Sequence, residues 1–304
     1  MHTSGLSILI PTYGYSCYRL VEALQQQCQE QPDLLYEIFV LDDGANREEA
    51  NVQNNKINEL SHCRFIAYHD NVGKSKLLNR ASKETSYSHL LFIDSDAEVC
   101  SQDFIRRYVH SWHEAQVVCG GLITSEQYSR PDNQLRYRYE CAASQSIRLP
   151  EYLNQRPYHH FTTFNVLVEK EVLERIPFNE SFVSYGYEDT FWGMELLHHA
   201  ITLCHIHNPL VHTGIDSNEN FLRKTERALQ NLSVMPKEFQ QFVTLSRNAQ
   251  RLSRLGLALF IRCFFRMSST VLRRQLLSHY PSLFCFKIYK LGYYLTVSHR
   301  VGIQ

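Results

Sequence analysis

The chain has 304 residues, of which 44% are hydrophobic and 20% are charged, with only 12 glycines and 9 prolines. This composition excludes collagen-like, low-complexity and wholly disordered chains, and the length suits one large domain with an appendage. The 31 basic residues balance the 31 acidic ones, which argues against a nucleic-acid partner. The balance hides an asymmetry, because every charged residue after Glu238 is basic.

The cysteine pattern predicts a reducing compartment. Nine cysteines are scattered without a Cys-x-x-Cys pair, which argues against a zinc ribbon. Because an odd number of cysteines cannot all pair within one chain, a disulfide framework is also disfavoured. The N-terminus lacks the pattern of a signal peptide. Arg254, Arg262 and Arg266 interrupt the best candidate for the roughly 18–20 apolar residues of a membrane span. We therefore expect a cytoplasmic protein that does not cross a bilayer.

Over the first hundred residues, short β-branched or aromatic runs alternate with segments of helical periodicity. This rhythm is typical of βαβ units and a mostly parallel sheet. Strands are predicted at Leu6–Ile10, Glu37–Leu41, Arg64–Tyr68 and Leu90–Ile93, and helices are predicted to begin near Ser16, Asn46 and Gly73. Ser16 is the expected N-cap of the first helix.

The rest of the chain predicts a second half and a tail. Val117–Ile123 reads as a fifth strand, and the polar stretch Ser125–His160 as an irregular insertion near a site. Further strands are predicted at Phe161–Val168 and Ile201–His205, and helices at Asp189–Ala200 and Asn218–Leu232. We expect a domain over residues 1–233, with a donor half at about 1–123 and an acceptor half at about 124–233. A basic helical extension is expected over residues 234–304.

Polar clusters follow four predicted strands. They are Pro11-Thr12-Tyr13, Asp42-Asp43-Gly44, Asp70-Asn71-Val72-Gly73-Lys74 and Asp94-Ser95-Asp96. Ligands of open α/β sheets bind at the carboxyl ends of the strands, where these clusters would meet. The carboxylates predict a divalent cation and a phosphorylated ligand at this edge. The alternative is that each aspartate caps a helix or closes a turn.

Two familiar phosphate motifs are excluded. Gly73-Lys74-Ser75 resembles the end of a P-loop, but Tyr68 occupies the position of the required upstream glycine. No glycine-rich dinucleotide fingerprint follows the first strand. Lys74, in the first turn of a helix, remains a candidate phosphate ligand, with a solvated surface lysine as the alternative.

The ordered series of motifs resembles the bacterial family-two glycosyltransferases of the GT-A fold, over about residues 5–230. The matching segments are Leu9-Ile10-Pro11-Thr12-Tyr13, Val40-Leu41-Asp42-Asp43-Gly44, Asn71-Val72-Gly73-Lys74 with Asn79, and Phe92-Ile93-Asp94-Ser95-Asp96. The resemblance implies an α/β fold with a mixed, mostly parallel sheet flanked by helices and a small C-terminal helical extension. One departure is Leu78, where many members carry an arginine.

The resemblance also implies roles for individual residues. The donor-binding residues would be Pro11, Thr12, Tyr13, Asp42, Asp43, Asn71, Gly73, Lys74, Asp94 and Ser95. Asp94 and Asp96 would face a Mn²⁺ or Mg²⁺ ion on the donor diphosphate. His212 stands where related enzymes supply a histidine metal ligand, and the alternative is a packing role.

A motif in the second half is similar to the acceptor site of inverting GT-A enzymes. It reads Tyr185-Gly186-Tyr187-Glu188-Asp189-Thr190-Phe191-Trp192-Gly193. The resemblance implies that Asp189 is the catalytic base, that Glu188 holds an acceptor hydroxyl, and that Tyr187 and Trp192 offer aromatic faces to a sugar. The alternatives are helix capping for the carboxylates and a core position for Trp192.

These expectations amount to a metal-dependent, inverting transferase. It would move one sugar from a nucleotide-diphosphate sugar, with UDP favoured by the resemblance, to a glycan or lipid-linked glycan in cell-surface polysaccharide assembly. The Gln-x-x-Arg-Trp motif of processive synthases is missing from the sequence, which favours single transfers. A sugar-nucleotide nucleotidyltransferase is a poorer match, because no glycine-rich loop follows the first strand. A non-catalytic binding module would be favoured if Asp96 or Asp189 faced away from the pocket.

The basic tail predicts a membrane contact. On one continuous helix, Arg247, Arg251, Arg254, Arg262 and Arg266 fall within an arc of roughly 120°. Such a face is expected to dock on an anionic membrane, which would place the enzyme peripherally on the inner face of the cytoplasmic membrane near a lipid-linked acceptor. The alternative is a pair of helices packed on the acidic first domain.

Overall fold

The structure, a computed structural model, describes residues 3–45, 47–146, 149–181 and 186–301 of the chain. The strands are β1 (Thr3–Thr12), β2 (Tyr36–Asp42), β3 (Cys63–Ala67), β4 (Tyr87–Ile93), β5 (Ala97–Glu98), β6 (Val117–Cys119), β7 (Leu122–Ile123), β8 (Asn165–Glu169), β9 (Leu203–His205) and β10 (Leu210–His212). The α-helices are α1 (Tyr18–Gln29), α2 (Glu48–Asn55), α3 (Lys74–Glu84), α4 (Phe104–Ser111), α5 (Gln134–Ser146), α6 (Pro150–Leu153), α7 (Lys170–Arg175), α8 (Glu188–His198), α9 (Asn218–Val234), α10 (Lys237–Phe242), α11 (Thr244–Arg254), α12 (Ala258–Leu276) and α13 (Leu283–Val301). The helix start predicted at Asn46 and the motif residue Tyr185 lie outside the described residues.

A seven-stranded sheet in the order β3-β2-β1-β4-β8-β6-β9 forms the centre of the fold. Only β8 runs antiparallel to its neighbours, β4 and β6, among the described strands of this sheet. The predicted mixed, mostly parallel sheet is therefore confirmed. A second sheet has three short strands in the order β5-β10-β7. In the chain, β5 follows β4, β7 follows β6 and β10 follows β9.

Helices cover both faces of the central sheet. Ile8 and Ile10 of β1 belong to a hydrophobic cluster with Leu24 of α1, whereas Leu9 belongs to a second cluster with Leu77 of α3. Successive residues of a strand point to opposite faces, so β1 contributes to both clusters. This double covering explains why Ile8–Ile10 reads as a continuous apolar run.

Three local predictions were wrong. α1 begins at Tyr18 with Cys17 at its N-cap, so Ser16 does not cap the helix. The predicted strand Val117–Ile123 is divided into β6 and β7, because Gly121 adopts a left-handed φ of 93° and turns the chain into the second sheet. The stretch predicted as an irregular insertion contains the 13-residue helix α5.

The C-terminal extension is helical, as predicted, and it packs on the domain before it. α10 begins shortly after α9 ends at Val234. Leu229 and Leu232 of α9 share a hydrophobic cluster with Phe239 of α10 and with Tyr294 and Leu295 of α13. The extension and the preceding domain thus bury apolar surface in common.

The single basic helix face predicted for the tail was wrong. α11 and α12 meet at an angle of 115°, which separates Arg254 from Arg262. Gly256 has a φ of 74°, and a glycine in this left-handed conformation just past the last residues of a helix is a common helix terminator. No single helix among the described residues is long and apolar enough to cross a bilayer. Only the bent pair of α11 and α12, taken together among those residues, has the length and composition of a span.

Candidate active site

A cavity of about 660 Å³ opens where β4 and β6 end and where α3 and α8 begin. Six of the predicted site residues line it: Lys74, Asp94, Asp96, Glu188, Asp189 and His212. Tyr15, Arg136, Thr162, Gly214, Asp216 and Lys224 also line it. Arg136 lies in the stretch Ser125–His160 that is predicted to lie near a site, and Asp216 and Lys224 lie in the segment 216–225, which resembles a loop and helix that can close over the donor phosphates in bacterial members. Because Asp96 and Asp189 both face this cavity, the condition that would favour a non-catalytic binding module is not met.

Lys74 and Asp94 form an ion pair at one side of the cavity. Gly73, with a φ of 86°, precedes the first residue of α3 and turns the chain so that Nζ of Lys74 reaches Oδ1 of Asp94. Burial opposes the charge of Lys74, but Asp94 and Asp189 outweigh it and raise the pKa of the ammonium group. Burial, together with the charges of Asp96 and Asp189, raises the pKa of Asp94 although Lys74 lowers it. Lys74 is therefore a paired cation, not the solvated lysine of the alternative.

Asp96 and His212 lie side by side because their strands pair. β5 and β10 are antiparallel, with His212 opposite Ala97, and Nε2 of His212 lies 3.1 Å from Oδ2 of Asp96. On the other side of the ring, Nδ1 donates to Oε2 of Glu140 over 2.9 Å. Burial would lower the pKa of His212, but these two carboxylates raise it to about 9. Burial likewise opposes the charge of Asp96, whose pKa is nevertheless lowered by His212.

The pair of Asp96 and His212 fits a metal ion that also has phosphate ligands, once Nε2 of His212 has given up the proton that it shares with Asp96. Two ligands about 2.1 Å from an octahedral ion are about 3.0 Å apart, close to the distance between Oδ2 of Asp96 and Nε2 of His212. Glu140 would fix the ring orientation through Nδ1, as carboxylates commonly do for metal-binding histidines. Among the described residues, no three His, Cys, Asp or Glu side chains could hold an ion by themselves. The remaining ligands would have to come from substrate phosphate and water.

Glu188 and Asp189 open α8 and line the same cavity. Asp189 accepts hydrogen bonds from Oγ1 of Thr163 at 2.8 Å, and from the Thr163 backbone N–H and Oγ1 of Thr162 at 3.2 Å each. Glu188 accepts one from the backbone N–H of Gly186 at 2.9 Å. Burial, followed by the charge of Asp189, raises the pKa of Glu188. No side chain caps α8, so these carboxylates do not serve as its N-cap.

The predicted nucleotide-binding aspartates hold loops together. Asp42 accepts hydrogen bonds from the backbone N–H groups of Gly14 and Ala45. Asp43 accepts from those of Val72 and Gly73, both at 2.8 Å. These bonds agree with the alternative interpretation, in which the two aspartates close turns. They fix the loops after β1, β2 and β3, and their contact with a nucleotide stays a prediction.

Several other predicted residues lie outside the cavity. Neither the donor-binding candidates Pro11, Thr12, Tyr13, Asn71, Gly73 and Ser95 nor the acceptor-binding candidate Tyr187 lines it. Tyr187 lines a smaller pocket beside it, and the side chain of Tyr13 is exposed. The roles implied for these residues stay predictions.

The acceptor-stacking role predicted for Trp192 was wrong. Its side chain is only 1% exposed, and the ring packs against Phe161 and Phe178. The indole Nε1 donates to the carbonyl oxygen of Ile176 at 2.8 Å. A sugar has no access to either face of this ring, so the core position named as the alternative is the correct one.

Sequence reasoning missed Glu140, Thr162, Thr163 and Gly214. Glu140 is completely buried, and a Cβ added to Gly214 would lie 2.3 Å from Oδ2 of Asp96. The spacing of Arg136 and Glu140 by four residues is a helix signal, and these two side chains do form an ion pair. That spacing could have indicated α5, whereas Gly214 carries no local signal of its contact.

Several solved structures share the fold of this chain. S. aureus TarS 1-349 in complex with UDP is 17% identical, with a TM-score of 0.52 over 98% of this chain and 92% of that one. The same TarS fragment with UDP-GlcNAc is 16% identical, with a TM-score of 0.52 over 98% and 92%. The mannosyltransferase PcManGT from Pyrobaculum calidifontis, in complex with GDP-Man and Mn²⁺, is 13% identical, with a TM-score of 0.54 over 98% and 86%.

The family assignment comes from the sequence. No curated protein sequence matches the chain significantly. The model of the family described as glycosyl transferase family 2, however, matches residues 7–176, which is more than half of the chain and includes the four strand-end motifs. The protein is therefore an α/β enzyme of the GT-A type that belongs to glycosyl transferase family 2.

Proposed function

We propose that the protein is a metal-dependent, inverting and non-processive glycosyltransferase. It moves one sugar from a nucleotide-diphosphate sugar to a hydroxyl group of a glycan or lipid-linked glycan, in the assembly of a cell-surface polysaccharide. The observation that supports this most is that two pairs of carboxylates line one cavity, Asp94 with Asp96 and Glu188 with Asp189. The first pair suits a cation and a diphosphate, and the second suits an acceptor hydroxyl.

The cavity has room and charge for a nucleotide sugar. Its volume of about 660 Å³ lies in the range of small-molecule sites. Lys74, Arg136 and Lys224 line it and offer positive charge to a diphosphate. TarS binds UDP and UDP-GlcNAc, and PcManGT binds GDP-Man, in structures that share this fold. We take a UDP-sugar as the donor on the family resemblance.

Asp96 and His212, with Asp94 beside them, would hold Mn²⁺ or Mg²⁺. PcManGT contains Mn²⁺ in its complex with GDP-Man, which supports the choice of ion. When bound, such an ion neutralises charge on the departing nucleoside diphosphate. Lys74, already paired with Asp94, adds a second positive charge to the same region.

Asp189 acts as the general base in this proposal. A carboxylate oxygen of Asp189 takes the proton of the acceptor hydroxyl while the hydroxyl oxygen bonds to the anomeric carbon of the donor. The bond from that carbon to the diphosphate breaks on the opposite face, and the nucleoside diphosphate leaves with the bonding electrons, so the configuration inverts. Thr162 and Thr163 hold the carboxylate in position, which is the contribution of orientation to catalysis. Glu188, whose pKa is raised by burial, binds an acceptor hydroxyl in this proposal.

A screen of the purified protein against nucleotide sugars tests this function. With Mn²⁺ present, one donor is expected to raise the melting temperature and to be hydrolysed slowly without an acceptor. Thermal stabilisation without hydrolysis or transfer would instead favour a non-catalytic binding module. Release of pyrophosphate from a nucleoside triphosphate and a sugar phosphate would favour a nucleotidyltransferase.

We also propose that the enzyme works in the cytoplasm, on the inner face of the cytoplasmic membrane. α12 exposes a stripe of apolar side chains at spacings of four, three and four residues, with exposed fractions of 72% for Phe260, 57% for Phe264, 87% for Met267 and 67% for Val271. This spacing puts them on one face of the helix. Because every charged residue after Glu238 is basic, the surroundings of the stripe complement an anionic bilayer.

A further inference from the structure

A second pocket, of about 250 Å³, lies beside the active-site cavity. Arg136, Tyr139 and Lys224 line both spaces, so the two are neighbours. The remaining walls come from the start of α8, from α9 and from α13: Gly186, Tyr187, Thr190, Phe221, Thr225, Ala228, Leu229, Phe286 and Lys290. The C-terminal extension therefore completes a pocket next to Glu188 and Asp189.

The charge of this pocket is entirely positive. Arg136, Lys224 and Lys290 line it, and no carboxylate does so among the described residues. Arg136 pairs with Glu140, and Lys224 with Asp216, outside the pocket wall. Lys290 has no carboxylate partner among the described residues, and its ammonium group lies 5.1 Å from the ring centre of Tyr139 and 4.6 Å from that of Phe286. A pocket wall that presents cations without acids suits an anion.

The same pocket presents aromatic surface. Tyr139, Tyr187, Phe221 and Phe286 all contribute to its wall. Tyr139 contacts Phe221 and Phe286 with ring centres 5.8 Å apart in each case, so the rings form one cluster. Aromatic faces pack well against the apolar C–H faces of sugars. Phe221 and Phe286 are buried, so this role, predicted at first for Trp192, is available to Tyr139, whose side chain is 37% exposed.

The position of the pocket assigns it to the acceptor. None of the strand-end residues Asp94, Asp96 and His212 lines it, whereas Tyr187 and Thr190 flank the two carboxylates of α8. The geometry points to an acceptor that carries an anionic group, a phosphate or a carboxylate, next to the sugar that receives the new bond. This inference rests on the proposed function. Lys290, which lines this pocket but not the active-site cavity, binds the anion, and the ring of Tyr139 packs on the adjoining sugar.

Binding of simple sugars tests this inference without the natural acceptor. Glucose, glucuronic acid and glucose 1-phosphate are titrated into the full-length protein, and their affinities are measured by ligand-observed NMR. At least one anionic sugar is expected to bind about tenfold more tightly than glucose, since a hydrogen bond to a charged partner contributes a factor of this size. The two anionic probes separate a carboxylate preference from a phosphate preference.

Variants of α13 connect the preference to the pocket. Lys290→Gln is expected to remove most of the preference for the anionic sugar, whereas Lys287→Gln, at an exposed position on the same helix, is expected to keep it. Thermal unfolding verifies that both variants are folded. Equal or undetectable binding of charged and neutral sugars, or an unchanged preference in Lys290→Gln, would overturn the inference. Hydrolysis of the nucleotide sugar by the same preparations reports separately on the proposed function.

Discussion

Glu140 accepts a hydrogen bond of 2.9 Å from Nδ1 of His212, and Nε2 of the same ring lies 3.1 Å from Asp96. Glu140 is completely buried on α5, and Arg136 balances its charge. This arrangement leaves the ring little freedom to rotate. α5 thus orients the histidine that lies beside Asp96 of the first-half metal motif.

Glu140→Gln is expected to weaken Mn²⁺ binding about 10–100-fold, the usual effect of losing a carboxylate behind a metal-binding histidine. Isothermal titration with MnCl₂ and a nucleoside diphosphate measures the affinity. Glu151→Gln, at an exposed position on α6, is the matched control and should bind Mn²⁺ like the wild type. Equal affinities for wild type and Glu140→Gln would show that Glu140 does not support a metal ligand.

Chelation is expected to abolish transfer, and added Mn²⁺ or Mg²⁺ is expected to restore it. The carboxylates of Asp94 and Asp96 repel a diphosphate unless positive charge lies between them. Asp96→Ala should remove transfer while the variant stays folded, as measured by thermal unfolding. Full turnover in excess EDTA would contradict the metal requirement.

Asp189→Asn is expected to reduce turnover about 10²–10⁴-fold, the usual contribution of a general base, and to leave donor affinity nearly unchanged. Turnover is measured with the donor found in the screen, and donor affinity by titration. Glu195→Gln, on the same helix but outside the cavity wall, serves as the control. An α-configured donor should give a β-linked product by NMR. Retained configuration or near wild-type turnover of Asp189→Asn would exclude Asp189 as the base.

The apolar stripe of α12 is expected to bind vesicles of phosphatidylcholine mixed with phosphatidylglycerol, and to do so more weakly at high salt. Each basic residue near such a surface contributes about 1 kcal/mol. The double variant Phe260→Glu with Met267→Glu should stay in the supernatant after sedimentation, whereas Val234→Glu, at an exposed position on α9, should sediment like the wild type. If the wild type ignores these vesicles and forms a dimer that the double variant disrupts, a second copy of the chain covers the stripe instead.

Local signals explain which parts of the site the sequence predicts. Asp94, Asp96 and Lys74 follow strand ends or begin a helix, so the parallel sheet alone brings them to one edge. Glu188 and Asp189 stand out because two acids open a helix beside a glycine. These residues need no knowledge of distant packing to be found.

Contacts between distant segments explain what the sequence did not predict. α5 carries arginine, tyrosine and glutamine without a clear apolar stripe, and its Glu140 gains its role only from His212, 72 residues later in the chain. Trp192 is buried because Phe161 and Phe178 reach it from other elements. Gly256 can be recognised in the sequence as a helix terminator. A helical wheel that treats the segment as one continuous helix does not show the bend at this residue.

The reversed direction of β8 has a consequence for how new specificities could arise in this fold. Cys119, the last residue of β6, pairs with Val166 near the beginning of β8, so the chain leaves and re-enters the sheet at the same edge. The intervening segment, residues 120–164, includes Arg136, Tyr139, Glu140, Thr162 and Thr163, and both of its attachment points adjoin the catalytic cavity. This segment is therefore a candidate for replacement as a unit. A replacement of different length or composition would alter the substrate surface while the register of the central strands stayed the same.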